Sequence, residues 1–373
     1  MPKLSDLTAL LQEVWASGQL TNEGPLHNRL EAALALHLEV PVAKLSCNGT
    51  TALQCALLSL GLPAGAEVIT TPLTFAATAH AITACGLTPV FADVDETTLT
   101  LDPAAVKCAI TNRTAAVLGV HVYGTLCDHE ALQELCDSHG LKLIFDAAHA
   151  FGSYDGDIPV GMMGDLSVFS LHATKLYNTF EGGLITARDP AYAKKLSLVR
   201  NFGIESEESV SMVGINGKMS ELNAAVGLLN LEIMSAEVDA RRDLRARYDK
   251  IVDSIHGVRK QFRQPKVVQS EQYYMIVVDP DIYGATRDDI YHSLKSYGIF
   301  SRRYFWPICT DFDCYSDAKI ASLQEVPVVE RVKHRVVCLP FHSGVQPHHI
   351  DTISRVLKEL NRYNTVPFSI GSK

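Results

Sequence analysis

The stretch Val168–Thr186, VFSLHATKLYNTFEGGLIT, sets one lysine, Lys175, between two apolar runs. Leu166–Leu171 precedes it, and Glu181-Gly182-Gly183 leads into Leu184-Ile185-Thr186. The pattern predicts strand, tight lysine-bearing turn, strand. A lysine held partly inside a protein loses hydration that its ammonium needs, so its pKa falls. The neutral amine is then a nucleophile able to form a Schiff base with an aldehyde. Read alone, Lys175 is more simply a solvated loop lysine, as most lysines are.

A carboxylate upstream changes that balance. Lys142–Phe145 has the pattern of a short buried strand, and it ends on Asp146, followed by Ala147-Ala148-His149. Ligands of open α/β sheets bind beyond the carboxyl ends of strands. A lysine for an aldehyde and an aspartate for a pyridinium nitrogen are the two groups that pyridoxal phosphate requires.

Outward from this pair, strands and helices alternate. Glu67–Thr71, Thr88–Ala92 and Thr114–Tyr123 read as strands. Asp102-Pro103 opens a helix, and Asp128–His139 reads as another. This order implies right-handed crossovers and a mainly parallel sheet flanked by helices. In Lys44–Leu60, KLSCNGTTALQCALLSL, the residues Asn48-Gly49-Thr50-Thr51 precede an apolar helix. They would offer free N–H groups and hydroxyls to an anion, although Asn or Thr is also an ordinary helix cap. Phe75 falls near the first turn of the next helix, placed either to stack on an aromatic ligand or to join the core. Thr21–Pro25 breaks the N-terminal helical region and is read as a candidate rim of the site. Met219–Met234 and Glu237–Ser254 read as two helices, the second linking to a C-terminal part of short strands and helices. The expected division is a large domain over residues 1–250 and a smaller α+β domain over 251–373, with a frayed tail from Pro367.

The chain has 373 residues, 47% hydrophobic and 20% charged, with a net charge of -9. That balance, without a basic run, argues against nucleic-acid binding. Nine cysteines without a Cys-x-x-Cys pair suit a reduced cytoplasmic setting and give no metal site. The N-terminus lacks a signal-peptide core, and no apolar run reaches membrane-spanning length.

With these pieces in order, the chain resembles the DegT/DnrJ/StrS sugar aminotransferases of the fold-type I pyridoxal phosphate enzymes. The resemblance is carried by SGQLTNEGP, CNGTTAL, TTPLTFAATAHAI, PVFADVD, VHVYG, FDAAHAFGS, FSLHATKLYNTFEGG, RNFGI and GINGKMSELNAAVGL, in the family's order. It implies that Lys175 holds the cofactor and Asp146 keeps its ring nitrogen protonated. His149 would approach the ring hydroxyl and Phe75 would stack on the ring. Thr50, Thr51 and Ser170 would bind the phosphate, beside Gly49. Asn216 would reach the phosphate of a neighbouring subunit, making the active unit a homodimer with shared sites. The related sugar 3-dehydratases carry histidine where this chain has Lys175, which favours amino transfer. His172, three residues earlier, either lines the site or is structural.

The resemblance further implies ping-pong transfer from L-glutamate to a nucleotide-linked keto sugar through pyridoxamine phosphate, within deoxysugar or polysaccharide biosynthesis. The segment Gly298–Pro307, GIFSRRYFWP, looks most like that of members aminating C4 of dTDP-4-keto-6-deoxyglucose. Arg302 and Arg303 would then meet the diphosphate, unless one of them forms a salt bridge in the small domain. Tyr304, Phe305 and Trp306 would stack on the substrate's base or pack the domain interface. A 3-keto acceptor, a dehydratase and a non-catalytic regulator are the alternatives.

Overall fold

The computed structural model describes residues 2–316, 322–323 and 325–361; the tail from Pro367 lies outside them. The main sheet contains β1 (Val42–Ser46), β2 (Glu67–Thr70), β3 (Thr88–Phe91), β4 (Thr114–Val120), β5 (Lys142–Asp146), β6 (Leu166–Ser170) and β7 (Gly183–Ala187). Their order is β1-β7-β6-β5-β4-β2-β3, with Ser322–Leu323 added beyond β3. From β6 outward to Ser322–Leu323 every pairing is parallel. Only β7 runs against its neighbours, because the lysine turn folds it straight back along β6.

Both faces of the sheet are covered, which is why its strands read as continuous apolar runs. On one face Leu143, Phe145, Phe169 and Leu184 pack with α2 (Pro25–His37), α6 (His129–His139) and α8 (Glu221–Val252). On the other, Ile144, Val168 and Ile185 pack with α3 (Gly49–Leu60), α4 (Ala76–Ala84) and α7 (Tyr192–Val199). Successive residues of one strand thus serve opposite layers. Asp102 and Asp128 cap their helices as the sequence predicts, accepting from Ala104 N and Ala131 N.

Where two helices were expected, α8 runs unbroken through 32 residues, about 48 Å at helical rise. Ser235-Ala236 between the two expected segments includes neither glycine nor proline, so nothing interrupts the hydrogen bonding. The Glu221 carboxylate at its start takes the free amides of Leu26 (2.8 Å) and His27 (2.9 Å), fastening α2. Nearby lies a buried ion cluster. Glu31 meets Lys44 (2.9 Å), His27 (3.1 Å) and Arg200, and it also accepts from Leu45 N (3.0 Å). Arg200 donates to Leu45 O (2.7 Å) and to Glu23 (2.7 Å). Burial raises the Glu31 pKa, but its hydrogen bond to His27 and the charges of Arg200 and Lys44 outweigh it and hold the carboxyl far below the usual range.

A second core gathers Tyr248 and Val252 of α8 with Ile276, Ile290, Val337 and Ile353. Its antiparallel sheet joins Val258–Lys260, Tyr274–Val278 and Val336–Leu339. The connection between these cores, residues 299–316, passes over the carboxyl ends of β4 and β5, where Tyr123 Oη donates to Tyr304 O (2.7 Å).

Candidate active site

The lysine turn is built by hydrogen bonds that leave little choice of shape. Lys175 N donates to His172 O (2.8 Å), Thr179 N to Leu171 O (2.9 Å) and Leu171 N to Gly182 O (2.8 Å). Tyr177 Oη donates to Gly227 O of α8 (3.0 Å), while Asn223 and Asn230 of α8 donate to the carbonyls of Thr179 (2.7 Å) and Asn178 (2.8 Å). The glycines of Glu181-Gly182-Gly183 are steric requirements. A Cβ on Gly183 would lie 2.3 Å from Asn48 O, and one on Gly182 would lie 2.1 Å from Thr179 Oγ1.

Lys175 is half-buried, and its Nζ lies 6.0 Å from the centroid of the Tyr273 ring. Desolvation lowers its pKa from 10.5 to about 8, against the opposing pull of Asp146. A substantial fraction of the amine is therefore neutral near physiological pH. Asp146, buried at the end of β5, accepts from Thr78 Oγ1 (2.8 Å) and Ala148 N (3.1 Å). Burial raises its pKa, and Thr78, Ala148 and Lys175 oppose that rise. His149 Nδ1 accepts from Tyr123 N (3.3 Å), which leaves the ring proton on Nε2. Burial, with help from Lys175 and His121, pushes its pKa far down, so the ring is neutral. The imidazole stacks on Phe305, centroids 5.5 Å apart and planes 11° from parallel.

Opposite stands the start of α3. Asn48 Oδ1 accepts from Thr51 N (2.8 Å), the ordinary capping bond. Among the described residues the amides of Gly49 and Thr50 meet no acceptor, and the Thr50 and Ser170 hydroxyls have no partner. A Cβ on Gly49 would sit 2.9 Å from Ser170 Cβ, so glycine is what lets the two elements close around this spot.

These groups share one cavity of about 260 Å³. Of the residues singled out in the sequence, it brings together Gly49, Thr50, Phe75, Asp146, His149, Ser170, Lys175 and Tyr304. Phe75 is an N-cap residue and 59% exposed, so it is a ring facing open space and not a core side chain. His172 also lines the cavity, its Nε2 3.5 Å from Glu181 Oε1. Four residues fall outside the lining. Thr51 turns its methyl toward Gly217, where a Cβ would meet it at 3.1 Å. Asn216 is exposed and bridges Asn201 through its backbone. Arg302 is exposed, with its backbone paired to Cys338. Arg303 bonds Asp288 (3.1 Å) and lies over the rings of Tyr291 (4.5 Å) and Trp306 (4.6 Å). Residues 21–25 do not rim the cavity; Glu23 is spent on Arg200.

Sequence reading missed Thr78, Gln272 and Tyr273; Phe305, one of the rings it weighed for base stacking or packing, stacks on His149. Thr74 and Thr78 are hydrogen-bonded (2.9 Å) at helical spacing, and that spacing was a usable signal. Tyr273 arrives from far along the chain and carried none.

Comparison with known proteins agrees with this chemistry. The model of the DegT/DnrJ/EryC1/StrS aminotransferase family matches residues 4–358. A dTDP-4-amino-4,6-dideoxy-D-glucose transaminase of Shigella dysenteriae is 38% identical over 360 residues, covering 96% of this chain and 97% of its own. One from Escherichia coli is 35% identical, covering 96% of each. A solved structure of DesI in the presence of its TDP-sugar product superposes with a TM-score of 0.91 at 36% identity, covering 97% of this chain and 92% of that one.

Proposed function

Because this chain belongs to the DegT/DnrJ/EryC1/StrS aminotransferase family and is thus a pyridoxal-phosphate-dependent sugar aminotransferase of α/β fold-type I, we propose that it transfers the amino group of L-glutamate to C4 of dTDP-4-keto-6-deoxyglucose. The product would be dTDP-4-amino-4,6-dideoxyglucose. The observation carrying this reading is Lys175 and Asp146 on one cavity, in a chain so similar to transaminases named for that product.

The residues present fit the cofactor. Lys175 supplies a partly neutral amine, Asp146 a buried carboxylate with only two hydrogen bonds, and the Gly49–Thr50 amides with Ser170 a cradle for an anion. When bound, pyridoxal phosphate supplies an electron sink for the charge left at an amino acid's Cα after proton loss. Lys175 Nζ would take that proton as general base and give it back as general acid. Asp146 keeps a proton on the ring nitrogen, and Thr78 and Ala148 fix the carboxylate plane. Gly49, Thr50 and Ser170 anchor the phosphate, and Phe75 covers the ring. His149, with its proton on Nε2, would offer a donor to the ring hydroxyl oxygen. Tyr304 walls the substrate side. Arg302, free of side-chain partners among the described residues, is available to the diphosphate, whereas Arg303 shapes the segment through Asp288.

The same reading makes the active unit a homodimer in which Asn216 reaches the partner's phosphate. Exposed Phe202, Ile204, Val210 and Val213 beside Asn216 support it as a surface in need of cover. The separate core beyond α8 supports a division of the chain near residue 250. A cytoplasmic setting suits the substrates, and no helix among the described residues is long and apolar enough to cross a membrane.

The test is the visible absorption of the cofactor-loaded protein beside Lys175→Ala. L-glutamate should abolish the lysine-dependent band, and dTDP-4-keto-6-deoxyglucose should restore it. Failure of glutamate removes the donor; failure of the sugar after glutamate has acted removes the acceptor.

A further inference from the structure

Lys175 is flanked by two backbone groups that a single distant side chain captures. Gln272 Oε1 accepts from Leu176 N (2.6 Å), and Gln272 Nε2 donates to Thr174 O (3.2 Å). The carboxamide thus bonds the residues immediately before and after the lysine. Its own position is fixed from behind. Two arginines one turn apart on α8 take three successive carbonyls of its segment. Arg241 donates to Glu271 O (3.0 Å) and Gln272 O (3.5 Å), and Arg245 donates to Tyr273 O (2.9 Å). Arg245 also holds the buried Glu271 carboxylate (2.6 Å). Ser270 N bonds Ser153 Oγ (2.8 Å), tying the segment to the loop after β5. The next residue, Tyr273, presents its ring to Lys175 Nζ. The carboxamide of glutamine offers an acceptor and a donor side by side in one neutral planar group, and a carboxylate here would add a charge next to the amine.

We propose that Gln272 is the positioning residue for Lys175, clamping the turn so that Nζ stays at one place and one height above the cavity floor while it moves a proton. It rests on the role assigned to Lys175 above. Direct α8 contacts hold only Tyr177–Thr179, so without this clamp the lysine backbone keeps, among the described residues, its bond to His172 O (2.8 Å) and a long one from Asn178 Nδ2 to Lys175 O (3.5 Å). Because misplacement of a reacting group by an ångström costs about 10²-fold in rate, the clamp acts on kcat and leaves substrate affinity largely alone.

The experiment compares full-length, cofactor-loaded wild type, Gln272→Leu and Gln272→Glu by three measurements. Hydrogen exchange across residues 171–180 should quicken about tenfold or more in Gln272→Leu, with other peptides unchanged. The pH midpoint of the lysine-dependent visible band should move, and kcat should fall about 10–100-fold with KM within about threefold. Gln272→Glu keeps the acceptor for Leu176 N but turns a carboxylate oxygen on Thr174 O, so its exchange should fall between wild type and Gln272→Leu while its charge shifts the band midpoint. Should Gln272→Leu fold poorly, Gln272→Glu alone decides: exchange over residues 171–180 and kcat both at wild-type values overturn the proposal. Faster exchange without change in midpoint or kcat means a merely structural contact and overturns it, as does quickened exchange over the whole chain. A band that survives Lys175→Ala overturns the lysine assignment, and this one with it.

Discussion

At the scale of single residues, the site holds its two ionisable partners in unfavourable surroundings. Lys175 titrates near 8 in the folded chain and at its ordinary 10.5 when unfolded. Between these values the unfolded state binds more protons, so this group makes stability rise with pH across that window and costs its full amount below 8. Lys175→Met should therefore stabilise the cofactor-free protein at pH 7 by about 1–2 kcal/mol, once the partner lost to Asp146 is subtracted. Urea unfolding at pH 7 and 10.5 checks it: the advantage should vanish at the higher pH. Asp146→Asn should lower kcat/KM about 10²–10³-fold while leaving the melting temperature unchanged or higher, because the carboxyl's pKa is already raised by burial. Lys175 and Asp146 were legible in the sequence, since each ends or interrupts a buried strand pattern. Gln272 was not, because its bonds join residues 96 and 98 positions apart.

At the scale of elements, the start of α3 and the end of β6 meet at Gly49. Gly49→Ala drives a methyl into Ser170 and should weaken cofactor retention about tenfold or more at a stability cost of about 1–3 kcal/mol, measured as the dissociation constant of the loaded protein and its melting temperature. Helix starts were readable from capping residues, as at Asp102 and Asp128. Continuity of α8 was harder to read, because a shift from apolar to charged composition looks like a boundary when it only marks the helix leaving one core for another. The arginine pair shows the same limit. Arg302 and Arg303 are adjacent in sequence, yet one is exposed and the other is stacked between Tyr291 and Trp306.

At the scale of the whole molecule, the exposed apolar group near Asn216 is the feature a lone chain leaves unexplained; Val213 is 82% exposed. Val210→Asp combined with Val213→Asp should shift sedimentation from dimer toward monomer and lower kcat in proportion, with added protein concentration recovering activity. The parallel order of strands was legible because short apolar runs alternate with helical patterns. The return of Ser322–Leu323 to the far edge of the main sheet was not, as two residues carry no periodic signal.

The ion cluster at β1 has a bearing on how such a sheet coexists with other copies of itself in a crowded cell. β1 is the terminal strand, and Leu45 would offer its outward N–H and C=O to any passing chain. Glu31 occupies the first and Arg200 the second. An acid and a base are thus seated where an intruding strand would have to pair, and the opposite border is closed by the two-residue Ser322–Leu323. Loss of Arg200 should accordingly appear first as polymerisation on storage, before any change in the chemistry of the cavity.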